Sequence, residues 1–188
     1  MSTVMALMTS SEMDALPDSD KVERWLIDGE LWERPMSLRS PAHAGAVNNL
    51  SFVLTGWCRT QPKPRPKGYS GDIFCKLRRD PDTNVGVDVA VARPEQAAAV
   101  TAESRHLDGP PLLAVEVLSV SDVMSEVHTK ANSYLDNGTP QVWVVDPFDR
   151  TVTVYRPDAE PVLYNRRHTV PGDPELPGLQ VPVADLFE

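Results

Sequence analysis

Apolar residues in this chain occur in short runs that proline, glycine and acidic residues separate. Runs typical of β-strands cover residues 69–77, 85–92, 112–119, 141–146 and 151–155. The run at 85–92 alternates valines with small residues, and the run at 112–119 is almost continuously apolar. Both patterns indicate strands that are buried on both faces of a sheet.

Two longer segments have the apolar spacing of helices. One covers residues 41–59 and ends before Pro62, and the other covers residues 121–137 and ends at Asn137-Gly138. Within residues 24–32, Asp28-Gly29 between apolar flanks is a hairpin signal. The strand-helix-strand unit indicates a parallel crossover between hairpins. The sequence therefore predicts an α/β fold, a mixed central β-sheet flanked by helices.

Length and composition favour one domain. The chain has 188 residues, 41% of them hydrophobic, which suffices for one substantial core. We expect residues 1–20 to form a loosely ordered N-terminal segment and residues 21–188 to form the domain. No apolar run approaches 18 residues, so we expect no membrane span and a cytoplasmic location.

The formal net charge is −9, with a pI near 4.9. This balance argues against a general nucleic-acid coat protein, whose binding would be mainly electrostatic. Residues 59–80 are the exception, because seven basic and two acidic residues give the segment a net charge of +5. The simpler interpretation of that segment is a solvated loop and hairpin.

Two carboxylates interrupt the most apolar strands. Asp88 lies within Val85-Gly-Val-Asp-Val-Ala-Val-Ala92, and Glu116 lies within Leu112-Leu-Ala-Val-Glu-Val-Leu118. A buried ionised carboxylate costs several kcal/mol unless a cation, hydrogen bonds or a proton compensates it. The small neighbours of Asp88, Gly86 and Ala90, leave space around it. The sequence thus requires something to neutralise both acids.

Lys130 is the nearest candidate for a compensating cation. It lies in the helix predicted at 121–137, at the edge of an apolar face formed by Val123, Val127, Ala131 and Tyr134. Its side chain therefore points toward the sheet. Together, Asp88, Glu116 and Lys130 are consistent with a site for Mg²⁺, which takes one or two carboxylates plus water and phosphate oxygens.

Each of the three residues also has a structural interpretation. Asp88 could accept backbone amides at a strand end, and Glu116 could form an ion pair with Lys130 that has no role in chemistry. Lys130 could instead extend from the edge of the apolar face to water. A buried ion pair is seldom the most stable way to fill a core, which favours a functional site.

The order of the short motifs resembles the Uma family of restriction endonucleases, a branch of the PD-(D/E)XK nuclease superfamily. The resemblance covers residues from about 22 to the C-terminus. It rests on Leu26-Ile-Asp-Gly-Glu-Leu31, His43, Val87-Asp-Val-Ala-Val91, Val115-Glu-Val-Leu-Ser119, Lys130-x-x-x-Tyr134-x-x-x-Gly138, Val142-Trp-Val-Val-Asp-Pro147 and Leu176-Pro-Gly-Leu-Gln-Val-Pro182.

The resemblance implies a restriction-endonuclease-like core and Mg²⁺-dependent hydrolysis of phosphodiester bonds, with Mn²⁺ as an alternative cation. It implies that Asp88 and Glu116 hold the metal and that Lys130 is the catalytic lysine. The superfamily usually has its lysine two residues after the second acid, where this chain has Leu118. Its usual proline before the first acid is Val87 here.

The resemblance also draws attention to two further residues. Glu30 is a candidate third catalytic carboxylate, although a Glu directly after a turn is commonly just solvated. His43 could approach a phosphate or a nucleophilic water, whereas a histidine in the first turn of a helix is more often a surface or capping residue.

Three hypotheses about function follow. The first is a Mg²⁺-dependent endonuclease that acts on DNA, with homodimerisation as the means of cutting both strands. The second is a non-catalytic nucleic-acid- or protein-binding module that keeps the nuclease fold, which the acidic net charge favours. The third is a metal-dependent hydrolase of a smaller phosphorylated substrate.

Overall fold

A computed structural model describes residues 7–17, 21–36 and 39–188. The described strands, in chain order, are β1 Val22–Ile27, β2 Glu30–Pro35, β3 Lys67–Arg78, β4 Thr83–Ala92, β5 His106–Asp108, β6 Leu113–Val117, β7 Val142–Asp146, β8 Thr151–Tyr155, β9 Val162–Asn165, β10 Thr169–Pro171 and β11 Gln180–Pro182. The helices are α1 Ser10–Asp14, α2 Pro41–Thr60, α3 Pro94–Ala99 and α4 Met124–Asp136, followed by a 3-10 helix, Val183–Phe187.

A nine-stranded sheet dominates the described part of the chain. Its main path is β2-β1-β4-β6-β7-β8-β9, with β3 paired to β4 and to β5, while β10 and β11 form a separate pair. The pairs β6 with β7 and β3 with β5 are parallel, and the other pairs in this sheet are antiparallel. The prediction of a mixed central sheet flanked by helices is confirmed.

The predicted hairpin is formed by β1 and β2. Asp28 and Gly29 connect the strands, with φ of 53° and 78°. Two positive φ values in a two-residue loop match the right-handed twist of the flanking strands, and Asp-Gly tolerates them. The pairing continues to Val22 opposite Pro35, so the hairpin is longer than the sequence pattern indicates.

Strands β3 and β4 form the longest pair. Their register shifts between Ser70 and Ile73, which leaves Gly71 and Asp72 unpaired in a bulge with φ of 101° and 52°. A bulge bends its strand and redirects the side chains around it. This irregularity directs Asp72 toward the region described below as the candidate active site.

The predicted crossover consists of β6, α4 and β7. Glu116 of β6 lies opposite Val144 of β7 in parallel register, and α4 packs on the sheet between them in sequence. Helix α2, predicted at residues 41–59, packs on the sheet as well. Ser40 caps α2 by accepting the His43 backbone N–H at 3.2 Å, and Pro62 prevents its continuation.

Two apolar clusters hold the helices to the sheet. One joins Leu50 and Leu54 of α2 to alternate residues of the central strands and to the C-terminal 3-10 helix. The other joins Ala131 and Tyr134 of α4 to the opposite set, which includes Ala90. Because successive strand residues point to opposite faces, each helix covers one face of the sheet.

The segment predicted to be loosely ordered lies partly outside the described residues, which omit 1–6 and 18–20. Within the described part, α1 packs on β1, and hydrogen bonds join the α1 region to Gly29 and to Asp82, which directly precedes β4. The Met8 N–H donates to the Gly29 carbonyl at 2.8 Å, and the Ser10 N–H donates to Asp82 Oδ2 at 2.7 Å. Met13 is buried. No helix in the described residues has the length and apolar content to span a membrane.

Candidate active site

Asp88 and Glu116 lie side by side on neighbouring strands. Strands β4 and β6 are antiparallel and their pairing ends with Val89 opposite Val115, so Asp88 and Glu116 are the residues directly beyond that pair. Directly opposed residues of an antiparallel pair point to the same face. Both side chains are buried, with 5% and 9% of their residue surfaces exposed.

Each carboxylate oxygen of Asp88 has a partner. Its Oδ2 accepts the Val117 backbone N–H at 2.7 Å, and its Oδ1 lies 3.4 Å from Nε2 of His43. Burial raises the pKa of Asp88, but the contact with His43 and the Val117 N–H together hold it below its usual value. Asp88 is therefore an ionised carboxylate at neutral pH.

Glu116 is satisfied on one oxygen only. Its Oε2 accepts a hydrogen bond from Lys130 Nζ at 2.9 Å, whereas Oε1 is buried without a hydrogen-bond partner in the described structure. Burial raises the pKa of Glu116 to about 7, although the charge of Lys130 opposes that shift. Burial lowers the pKa of Lys130, but the charge and hydrogen bond of Glu116, together with the charges of Glu23 and Asp88, raise it above its usual value.

Tyr134 positions the lysine. It follows Lys130 by one helical turn, is fully buried, and its hydroxyl lies 3.3 Å from the carbonyl oxygens of both Val85 and Gly86. This contact fastens α4 to β4, the strand that carries Asp88. The spacing Lys130-x-x-x-Tyr134 therefore places an anchor and an amine on the same side of the helix.

The three charged groups line a cavity of about 430 Å³. Its walls come from α1, the first hairpin, β3, β4, β6 and α4, and include Met13, Trp25 and Phe74 as apolar surface. The carboxylates and the ammonium thus face a partly open cavity whose lining combines apolar and charged side chains. Low exposure to water strengthens electrostatic interactions in such a space.

Several arginines also line the cavity. Arg34 is held by two carboxylates, Glu23 Oε2 and Asp122 Oδ1, each at 2.7 Å. Arg39 is held more loosely, with Nη2 3.9 Å from Glu23 and 3.6 Å from Asp72. Both guanidinium groups are thus paired with carboxylates of the same cavity lining.

Asp72 and Glu23 are acids of the cavity that sequence reasoning missed. Asp72 lies in the bulge of β3, and burial together with the nearby charge of Asp88 raises its pKa. The available signal was Gly71-Asp72 inside a strand pattern, which is typical of a bulge. Glu23 gave no signal, because its strand reaches the cavity only through the pairing of β1 with β4.

The sequence profile of a known family matches this chain almost from end to end. That family is Uma2, described as “Putative restriction endonuclease”, and the match covers residues 10–184. The chain belongs to the Uma2 family. The resemblance deduced from the short motifs is therefore confirmed.

A solved structure shares the fold. It is the crystal structure of a protein from Anabaena variabilis ATCC 29413, described as a “putative nuclease belonging to DUF820”. The TM-score is 0.77 at 21% sequence identity, and the alignment covers 96% of this chain and 97% of the other. The predicted restriction-endonuclease-like fold class is confirmed. No curated protein matches this chain.

In this Uma2 protein, the structure brings together three of the four predicted catalytic residues. Asp88, Glu116 and Lys130 line one cavity, whereas Glu30 is exposed beside the hairpin turn and does not line it. Glu23, near the opposite end of the same hairpin, does line it. The hairpin thus contributes an acid from its open end and not from its turn.

His43 lies at the site and not on the surface. It is 4% exposed, and its Nε2 is buried without a hydrogen-bond partner in the described structure, although it faces Asp88. The capping role that a histidine in the first turn suggests belongs to Ser40 instead. His43 therefore supports Asp88 from the α2 side.

The donor set fits a hard divalent cation. The described residues contain no group of three or more histidine, cysteine, aspartate or glutamate side chains arranged to hold a metal. Mg²⁺ does not require one, because it commonly binds through one or two carboxylates and fills its octahedron with waters and substrate oxygens. The unpartnered Oε1 of Glu116, a pure acceptor when ionised, is the kind of ligand that such a cation uses.

Proposed function

We propose that this protein is a Mg²⁺-dependent nuclease that hydrolyses phosphodiester bonds of DNA, with Mn²⁺ as an alternative cation. The observation that carries the proposal is the unpartnered Oε1 of Glu116, buried next to Asp88 and Lys130. A buried acceptor without a donor costs about 1–3 kcal/mol, which a bound cation would remove. Membership of the Uma2 family and the nuclease-like fold support the class of reaction.

Each residue has a distinct proposed role. Asp88 and Glu116 would hold the cation, which supplies a polarised phosphate and an acidified water when bound. Lys130 carries a positive charge at Nζ that stabilises negative charge developing on phosphoryl oxygens. His43 keeps the carboxylate of Asp88 oriented, and the ion pair with Glu116 keeps Lys130 beside the reacting groups.

Substitution of the acids tests the proposal. Asp88→Asn and Glu116→Gln should abolish metal-dependent cleavage of supercoiled plasmid, since each variant removes one anionic ligand at nearly constant size. Asp136→Asn, on the exposed last turn of α4, makes the same change in charge outside the site and should cleave normally. Circular dichroism must show that all variants are folded. Cleavage by folded Asp88→Asn at the parent rate would refute the assignment.

Glu30→Gln belongs in the same assay. Glu30 was predicted as a catalytic helper, but its exposed position outside the cavity leads us to expect parental activity. Glu23→Gln, which changes the acid that does line the cavity, should reduce cleavage. The reverse pattern would restore the role that the sequence suggested for Glu30.

A non-catalytic binding module is the second candidate. The net charge of −9 favours it, and so does the ion pair that Lys130 already forms with Glu116. Calorimetric titration with Mg²⁺ or Mn²⁺ separates the two functions. Binding that is lost in Asp88→Asn and Glu116→Gln supports the nuclease, while equal heats for parent and variants support the module.

Two further measurements test the substrate class and the assembly. A panel of supercoiled, linear and single-stranded DNA beside small phosphodiesters distinguishes a nuclease from a hydrolase of small phosphorylated substrates. Cutting both strands of a duplex requires two sites, and we propose a homodimer as the way to supply them. Analytical ultracentrifugation with and without duplex DNA checks the dimer.

A further inference from the structure

Two surface turns carry an unusual concentration of unpaired positive charge. We call Arg150, Arg166 and Arg167, together with Phe148, the arginine cluster. The three arginines are exposed, and none has a carboxylate partner or a side-chain hydrogen bond within the described residues. Phe148 is 50% exposed. The cluster lines an open depression of about 570 Å³ in which Asp149 is the one acidic lining residue.

The cluster lies beyond the same ends of the strands as the candidate active site. Strands β6 and β7 are parallel, so the turn after β7, which carries Phe148 and Arg150, follows the same end of the sheet as Glu116. Strands β8 and β9 are antiparallel to their neighbours, and Thr151 pairs with Asn165. The turn carrying Arg166 and Arg167 therefore lies at that same end of the strands.

The spacing between the cluster and the acids suits a polymer. Neighbouring strands lie about 4.8 Å apart, so β8 and β9 are roughly 10–14 Å from β6, measured across the strands. A single strand of nucleic acid covers such a distance with a few nucleotides. A ligand confined to the cavity would not reach the cluster.

We propose that the arginine cluster binds the nucleic-acid strand on one side of the phosphodiester that is cut, with its phosphates on the three guanidinium groups and one unpaired base stacked on Phe148. The identity of the polymer rests on the proposed nuclease function. Guanidinium groups match phosphate geometry, and exposed aromatic rings stack on bases of any sequence. In a chain of net charge −9, such a cluster gives the strand a local anchor.

Binding of a fluorescein-labelled oligothymidylate, measured by anisotropy in EDTA over a range of salt concentrations, tests this proposal. The variant Arg150→Gln/Arg166→Gln/Arg167→Gln removes three charges. Each lost phosphate contact should reduce the slope of log affinity against log salt by about 0.7, so we expect a decrease of about 2. Affinity at low salt should fall by at least about tenfold.

A charge-matched control is available at and just beyond the C-terminal end of α2, which is the end remote from His43. Arg59, Lys63 and Arg65 are exposed there, and Arg59 lies about 24 Å along the helix from His43 at 1.5 Å per residue. Replacing those three residues with Gln makes the same change in net charge. The salt slope should then stay near its parental value.

Phe148→Ala separates stacking from charge. It should weaken binding of the single strand by at least about fivefold, because stacking on an aromatic side chain is lost, and leave the salt slope unchanged. The same sequence in a duplex should show little effect, since its bases are already paired and stacked.

The outcomes are distinguishable from those of the active-site test. Equal weakening by the cluster and control variants, no weakening by either, or no binding by the parent protein would each overturn the cluster proposal. If the cluster variant alone loses binding while Asp88→Asn does not change cleavage, the cluster stands and the catalytic assignment fails. The binding assay needs no metal and no turnover.

Discussion

Glu116 and Lys130 form a buried ion pair. Both side chains are buried, and they are joined by one hydrogen bond of 2.9 Å. Removing water from two charges costs several kcal/mol per ion, which their attraction offsets only while both are present. The pair is therefore stable as a unit, and either residue alone would leave a buried charge without its partner.

Lys130→Met should lower the free energy of unfolding by about 3 kcal/mol, because it leaves Glu116 buried without a cation. Glu116→Leu/Lys130→Met should recover most of that loss, since two apolar side chains of similar volume replace the pair. Urea unfolding at pH 7 measures both values. Both variants should be inactive in cleavage. A double variant no more stable than Lys130→Met would show that the unpaired charge of Glu116 does not cause the loss in the free energy of unfolding.

At the scale of elements, α4 depends on its attachment to β4. The Tyr134 hydroxyl contacts the carbonyl oxygens of two consecutive residues on that strand, Val85 and Gly86. The same strand carries Asp88. The geometry between the lysine and the acids is thus set by helix-to-sheet packing as well as by strand pairing.

Tyr134→Phe should lower the free energy of unfolding by about 1 kcal/mol, because the hydroxyl donor to these buried carbonyls is lost. The cleavage rate at saturating substrate should fall while KM stays near its parental value, because Lys130 is displaced and substrate contacts are not. Steady-state kinetics on an oligonucleotide substrate measures the two constants. A change in KM alone would contradict the positioning role.

Asp82 fixes α1 to the rest of the fold. Burial raises the pKa of Asp82, but hydrogen bonds from the Ser10 backbone N–H and from Lys76, whose Nζ lies 3.2 Å away, together hold it well below its usual value. A depressed pKa means that the unfolded chain binds the proton first. Stability from Asp82 is therefore complete above about pH 4 and is lost as pH falls toward the folded pKa.

Asp82→Asn should lower the free energy of unfolding by about 2 kcal/mol at pH 7, since charge-assisted hydrogen bonds are lost. The difference between parent and variant should shrink at pH 3, where the parent begins to lose the same contribution. Urea unfolding at both pH values checks this. A difference that stays constant with pH would show that ionisation of Asp82 is not responsible.

The sequence predicted those elements whose signal is local. The Asp28-Gly29 hairpin and the helices predicted at 41–59 and 121–137 have strong turn, capping or proline signals, and the structure contains all three. The second helix begins later than predicted, at Met124, and Val123, which the pattern assigned to its apolar face, is its N-cap residue and 52% exposed. Strands β5, β10 and β11 have three residues each and no alternation to detect. Their conformation depends on tertiary partners, such as β3 for β5.

The same distinction applies to the candidate site. Asp88, Glu116 and Lys130 could be found because a charge inside an apolar pattern is a local anomaly. Asp72 and Glu23 occupy ordinary polar positions, and only a bulge and a strand pairing bring them to the cavity. Glu30 was suggested by its position in a motif, but the sequence did not show that the open end of the hairpin, and not its turn, faces the two buried acids.

At the scale of the whole molecule, the net charge opposes the proposed substrate. A chain of charge −9 repels a polyanion over distances comparable with the Debye length, about 10 Å at 0.1 M salt. The arginine cluster counters this field locally, whereas Arg34 and Arg39 at the cavity are already paired with carboxylates. Acidic residues that lie far from the site should therefore lower the rate of association with DNA.

Asp136→Asn/Asp158→Asn/Glu160→Gln should raise the association rate with a single-stranded oligonucleotide a few-fold at low salt, because it removes three exposed negative charges near the end of α4. The gain should disappear near 0.5 M salt, where screening removes the long-range field. Stopped-flow anisotropy measures the rate. An increase that persists at high salt would indicate a local contact instead of a field effect.

The lysine of this site comes from a helix, whereas both acids come from strands. Under the proposed function, the two metal ligands are therefore positioned by sheet hydrogen bonds, while the amine arrives only when α4 docks through Ala131 and Tyr134. A partly opened molecule with an intact sheet and a detached helix would keep both carboxylates in place but lack the ammonium that the proposed reaction needs. Substitutions in that helix-to-sheet contact, remote from any reacting atom, should thus change the rate of the proposed reaction.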